Sequence, residues 1–192
     1  MKKNKTLIIV AVLAVIVLIG GSLVSNYNTL VTGKETIESA ESNIDTYLQR
    51  RADLIPNVVS TVKSFAKHET EVFDKVLEAR SKLVNANTTE DKAEANAQLD
   101  TALQGINVIV ENYPELKSDA TYISLMDELE GSENRIAVAR KDYNDAVKSY
   151  NNKVIRFPGS IVAKIFGFEK AEYFEATEES QTVPDVGAAL GD

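Results

Sequence analysis

The chain has 192 residues, a formal net charge of −8, 44% hydrophobic and 26% charged residues, one histidine and no cysteine. That length suits one domain of ordinary size. The missing cysteines exclude disulfides, a lipoprotein anchor and a thiol nucleophile, and the acidic balance is opposite in sign to a nucleic-acid footprint.

The first element is a candidate membrane span. MKKNK is followed by TLIIVAVLAVIVLIGGSLV, in which residues 7–24 carry no charge. At about 1.5 Å per helical residue this run covers most of a hydrocarbon core about 30 Å thick. Lys2, Lys3 and Lys5 precede it and no further Lys or Arg appears until Lys34. The positive-inside bias therefore places residues 1–6 in the cytoplasm and the remainder outside the cell membrane as a single-pass protein. A cleaved signal peptide is the competing reading, but GGSLVSN offers no A-x-A site and the amphipathic pattern resumes at once. Setting the three leading lysines aside leaves 18 basic against 29 acidic residues, so attraction to an anionic lipid surface by overall charge is not expected.

Residues 25–156 repeat apolar side chains at spacings of three and four, which predicts helices. Segment A, about 25–52, carries Tyr27, Leu30, Ile37, Ala40, Ile44 and Leu48 on one stripe. RADLIPN is expected to end it, since Ile55 precedes Pro56 and Asp53 can cap a new helix; one helix continuing through Pro56 is the alternative. Segment B, to about Asn85, steps through Val58, Val62, Phe65, Glu69, Val72, Val76, Ala79 and Leu83 in near-heptad register. In the polar connection NANTTED, Thr88 and Asp91 have the spacing of a capping box. Segment C follows with Ala95, Leu99, Ala102, Leu103, Ile106, Ile109 and Val110, and Tyr113-Pro114 ends it.

Segment D opens after Ser118 or Asp119 and runs to about Ile155, stopped by FPG. Tyr122, Leu129, Ile136, Tyr143, Tyr150 and Phe157 recur every seven residues, with Ser132, Ala139 and Ala146 between them, as a packing seam. Gly131 is expected to mark a close helix approach or a kink. Short connections between long helices predict an all-α fold: an N-terminal transmembrane helix followed by an antiparallel, up-down four-helix bundle. That topology returns Tyr150-Asn151 to the end that holds Tyr27-Asn28, where Tyr27, Asn28, Tyr150 and Asn151 are expected to form an inter-helix polar layer.

The blocks LQRRADLIPNVVSTVKSFAKHE, ENYPELK and ELEGSENRIAVARKDYNDAVKSYNNKVIRFP, with YNTLV before them and IFGF and YFE after, resemble the LemA family of bacterial membrane proteins. The resemblance implies one amino-terminal span, a helical bundle outside the membrane, no known enzymatic activity, and a part in cell-envelope or internal-membrane organisation.

Few side chains suggest chemistry. Arg51, Glu69 and Arg140 fall on or near core stripes and are expected to be buried charges fixing helix register. His68-Glu69 cannot hold a metal without further histidines, and no Gly-rich phosphate loop or G-x-S-x-G elbow is present. Asp127, Glu128 and Glu130 read as a solvated face. No catalytic residue, cofactor or metal is expected. Residues 157–176 form a short apolar segment in which Ile161, Val162, Ile165, Phe166 and Phe168 either lie in the membrane interface or fold back to cap the bundle. Residues 177–192 read as a disordered acidic tail. The function expected is non-enzymatic: an interaction or adaptor module for an unidentified membrane or envelope protein, with a structural, self-assembling or membrane-organising role as the alternative.

Overall fold

The computed structural model describes residues 2–174, with side chains from residue 10 onward; the expected acidic tail lies outside the described residues. All regular structure among them is helical: α1 (Lys2–Phe65), α2 (Thr70–Asn85), α3 (Thr89–Asn112), α4 (Pro114–Lys117), α5 (Ala120–Ile155) and α6 (Gly159–Phe166). Among the described residues the chain divides into two compact units, one formed by residues 2–41 and 142–173, the other by residues 42–141 with Phe174. Helices α1 and α5 contribute to both.

The second unit is the four-helix bundle. Its core joins Ile44, Ile55, Val58 and Val62 of α1 to Val76 of α2, Leu99 and Ile106 of α3 and Ile136 of α5, all essentially inaccessible to solvent. Burying each such side chain contributes about 1.5–3 kcal/mol. Residues 66–69, 86–88 and 113–119 make the short corners that reverse the chain between α1, α2, α3 and α5.

One corner differs from the sequence reading. Helix α1 does not end near Asp53 but continues through Pro56 to Phe65. A proline inside a helix removes the bond to the carbonyl four residues earlier and costs about 3 kcal/mol. Here that carbonyl, on Ala52, accepts a hydrogen bond from Arg80 Nε of α2 at 2.8 Å. Pro56 itself is exposed, while Ile55, Val58, Val59 and Val62 stay buried on the continuing stripe. Compensated carbonyl and retained burial together outweigh the proline. The reversal falls instead at Ala66–Glu69, so the apparent heptad of segment B straddles a corner. Phe65, Glu69 and Val72 are only half-buried, and Phe73 replaces Val72 in the core.

The other boundaries follow local chemistry. Thr88 Oγ1 accepts from Asp91 N at 3.0 Å and Asp91 Oδ2 accepts from Thr88 N at 3.3 Å, completing the expected capping box. Asp119 Oδ1 accepts from Tyr122 N at 2.8 Å and starts α5. Tyr122, Leu129, Ser132, Ile136 and Ala139 are buried as the seam requires. A Cβ at Gly131 would meet open space, so this glycine marks no close approach. That role falls to Gly105, where a Cβ would stand 2.9 Å from Val72 Cγ1.

The first unit holds the apolar start of α1, the end of α5 and α6. Val10 to Ile19 are largely exposed, as an apolar helix made for lipid must be. Leu30 and Ile37 of α1 and Tyr143, Val147 and Tyr150 of α5 are buried, and a Cβ at Gly33 would lie 3.0 Å from the Tyr150 ring. Phe157 does not continue the seam: α5 ends at Ile155 and Phe157 is 81% exposed. A cis Phe157–Pro158 bond leads into α6, which ends at Gly167 with φ of +73°.

Candidate functional site

Three features remain once the core is accounted for: a buried guanidinium, a polar cleft and the base of the first unit. Arg51 lies on the inward stripe of α1 and is 4% exposed. Its Nη1 donates to Asn96 Oδ1 of α3 at 2.5 Å and stands 2.7 Å from Glu133 Oε2 of α5; its Nη2 pairs with Asp100. The Glu133 contact is an ion pair without hydrogen-bond geometry. One side chain thus links three helices, and its carboxylate partners sit at the edge where solvent still reaches them. Arginine suits the position because its planar fork serves several acceptors at once.

The other two expected buried charges are placed differently. Arg140 is half-buried, with its guanidinium carbon 4.7 Å from the Phe174 ring centroid. Burial lowers its pKa, opposed by Glu133 and Asp100 and assisted by Arg51. Glu69 does not share a core layer with them. It sits half-buried at the start of α2, where its carbonyl accepts from Val72 and Phe73 N–H and its side chain caps nothing. The reason is the moved corner: a heptad position in sequence becomes a helix terminus in space.

A cleft of about 330 Å³ opens between α1, α2 and the start of α3, with Asp45, Gln49, Asn87 and Lys92 on its polar side. Lys92 Nζ and Asp45 Oδ1 pair across it at 2.6 Å. Nothing in the sequence pattern singled out this cleft, because its residues come from three separated segments. Among the described residues, no group of three or more His, Cys, Asp or Glu side chains converges as a metal site would require.

The expected layer of Tyr27, Asn28, Tyr150 and Asn151 is divided among other partners. Tyr27 packs edge-on against Phe166 and Phe168, with centroids 4.9 and 5.6 Å apart. Asn28 is exposed. Tyr150 is buried against Gly33, which holds its pKa above the ordinary tyrosine range, with Glu169 adding to the effect. Asn151 turns to the segment after α6: its Nδ2 donates to Ala171 O at 2.9 Å and its Oδ1 accepts from Ala171 N at 2.8 Å. Tyr143 Oη donates to Glu172 O at 3.1 Å. The returning chain occupies the acceptors and donors that the sequence reading had assigned to a neighbouring helix.

In α6, Val162 and Ala163 are buried, Phe168 just beyond it is half-buried on Tyr27, and Ile161, Ile165 and Phe166 are exposed. The segment therefore packs with one face and presents apolar side chains on the other.

Among the described residues, one N-terminal helix is long and apolar enough to cross a membrane, and the bundle that follows makes this an all-α protein with a candidate membrane span. The chain belongs to the LemA family, whose model matches residues 40–187. It is 30% identical to Magnetosome protein MamQ 2 of Paramagnetospirillum magneticum over 202 residues, covering 92% of this chain and 74% of that protein. Protein LemA of Metamycoplasma hominis is 26% identical over 156 residues, covering 81% and 71% of the two chains.

Proposed function

We propose that this protein is a non-enzymatic module of the cell envelope, held by its span with the amino terminus in the cytoplasm, whose bundle offers an acidic helical surface to a partner protein. The observation that carries this reading is the charge of the second unit. Residues 42–141 contain 17 acidic and 12 basic residues. Arg51 is turned inward toward its carboxylate partners, while exposed Asp127, Glu128 and Glu130 lie together on α5; on α2, Glu71 and Glu78 are paired with Lys75 and Lys82, so α5 carries the acidic face. Such a surface selects a basic partner and speeds encounter more than it adds affinity. Similarity to the magnetosome protein MamQ supports a setting at a membrane.

Photo-crosslinking in native membranes, with a reactive residue at position 78 or 130, tests the reading. One recurrent heterologous protein with a basic surface is the expected product. Products containing only the protein itself or lipid would refute the adaptor role and favour self-assembly or membrane organisation, the reading that the exposed apolar face of α6 supports. Protease accessibility of the bundle in intact cells tests the orientation.

A further inference from the structure

The base of the first unit combines features that a soluble surface does not. Phe157 is 81% exposed, Ile165 62%, Phe166 55% and Ile161 48%, the two isoleucines lying one helical turn apart on α6. The stretch from the end of α5 through α6 is positive, with Glu169 the next charge after it. Residues 146–168 include Lys148, Lys153, Arg156 and Lys164 and no acidic residue, and residues 6–33 of α1 carry no charge at all. Overall acidity, which argues against lipid attraction for the whole chain, is therefore reversed locally.

A cleft of about 340 Å³ lies within this positive region, with Asn26 and Thr29 on the α1 side and Ser149, Asn152, Lys153 and Arg156 on the α5 side. Asn26 and Thr29 are held by their own helix, donating to Ser22 O and Ser25 O at 2.8 Å each. Lys153 and Arg156 are exposed and form no ion pair among the described residues. Gly159 closes the turn behind them: a Cβ there would collide with the Lys153 carbonyl oxygen.

Depth decides what this cleft meets. Asn26 and Thr29 follow the last apolar residue of the span, Val24, by two and five positions, or about 3 and 7.5 Å along the helix. Half the difference between a bilayer of about 40–45 Å and its core of about 30 Å is a headgroup layer of about 5–8 Å. With the span inserted, that spacing brings the cleft to the level of lipid phosphates, and exposed Phe157 is part of its lining.

We propose that this cleft binds the phosphate of an anionic phospholipid through Lys153 and Arg156, with Ser149 and Asn152 as neutral donors, while Phe157, Ile161 and Ile165 seat in the membrane interface. The proposal rests on the span being inserted. It adds a lipid-binding site and a second point of membrane contact to the anchor.

The test uses the full chain, extracted in mild detergent with equal phosphatidylglycerol and phosphatidylcholine, and native mass spectrometry of the lipids it retains. Wild type is expected to retain phosphatidylglycerol preferentially. Each positive charge near an anionic headgroup layer is worth about a five-fold preference, so Lys153→Gln/Arg156→Gln should lose about 25- to 30-fold. Lys148→Gln, outside the cleft, should keep the wild-type selectivity. An unchanged preference in the double variant, or an equal loss in Lys148→Gln, overturns the site. Displacement by millimolar inorganic phosphate as effective as that by dispersed phosphatidylglycerol would identify a free-anion site instead and overturn the lipid assignment. Alkaline carbonate extraction, run in parallel, reads the anchor separately: release of wild type from membranes would refute the anchor itself. As the chain contains no tryptophan, Phe157→Trp supplies a single reporter, expected to be quenched by lipids brominated on the acyl chain; absence of quenching overturns the seating of Phe157.

Discussion

The bond from Arg80 to the carbonyl of Ala52 predicts a coupling between two residues that do not follow one another in any sequence pattern. Ala52 is fully buried and its carbonyl has lost its helical partner to Pro56. Arg80→Met removes the 2.8 Å charge-assisted bond and strands a buried acceptor, at a cost of about 2 kcal/mol. For a chain of this size that is a fall of about 4–8 °C in melting temperature. Pro56→Ala restores an N–H in the position to reach the same carbonyl. In that background the Arg80→Met change should cost only about 0.5 kcal/mol, for lost packing of its aliphatic stem, leaving a coupling energy of about 1.5 kcal/mol. Pro56→Ala alone should stabilise by about 1–3 kcal/mol. Urea unfolding of the four proteins, followed by helical circular dichroism in one detergent, closes the cycle, with constant m-values as the check on the unfolded state. Equal costs of Arg80→Met in the wild-type and Pro56→Ala backgrounds would show that the carbonyl is satisfied some other way, and the explanation for the uninterrupted helix would fail.

Other outcomes follow from the same geometry. Arg51→Met should destabilise by about 2–3 kcal/mol in urea unfolding, below the 3–5 kcal/mol of a fully buried pair, because Asp100 and Glu133 remain 45% and 37% exposed and can be hydrated. Glu133→Gln should cost under about 1 kcal/mol by the same assay, since the Asp100 and Asn96 contacts survive. Thr88→Ala breaks the capping box and should lower stability by about 1 kcal/mol, with Thr88→Ser close to wild type. Burial raises the pKa of Tyr122, and burial with Glu169 raises that of Tyr150. Their stabilising contribution is then complete below about pH 10, the ordinary value for the unfolded chain, and is lost as pH rises through the higher folded values. Urea midpoints measured from pH 9 to 12 should fall in wild type and fall less in Tyr150→Phe.

The fold was legible wherever a local rule acts alone. The span, the capping box at Thr88 and the limits of α5 all follow from residues within one or two turns. The corner was not, because Pro56 is a strong local signal and its compensation by Arg80 comes from 24 positions away in sequence. Arg51 could be placed in the core by its position on a stripe, but its partners Asn96, Asp100 and Glu133 become neighbours only after three helices pack. Glu69 and Phe157 show the opposite failure: each extends a periodic series past the point where the helix carrying it ends or begins. Asn151 is expected from its sequence position to serve a tyrosine hydroxyl on a neighbouring helix, yet it pairs with the backbone of residue 171, which no side-chain pattern announces.

The pair of hydrogen bonds between Asn151 and Ala171 makes a side chain stand in for a neighbouring strand. A primary amide offers one acceptor and one donor in the spacing of a peptide group, so Asn151 pairs with Ala171 as one rung of a ladder would. The returning segment is held at its backbone by α5, through Asn151 and through Tyr143 Oη on Glu172 O, and by its own Phe168 and Phe174, while Glu169, Lys170 and Glu172 are exposed. Hydrolysis of that one amide to a carboxylate would keep the acceptor, remove the donor and set a negative charge against a carbonyl. Chemical ageing at a single atom of Asn151 would thereby unlatch a segment whose own residues had not changed.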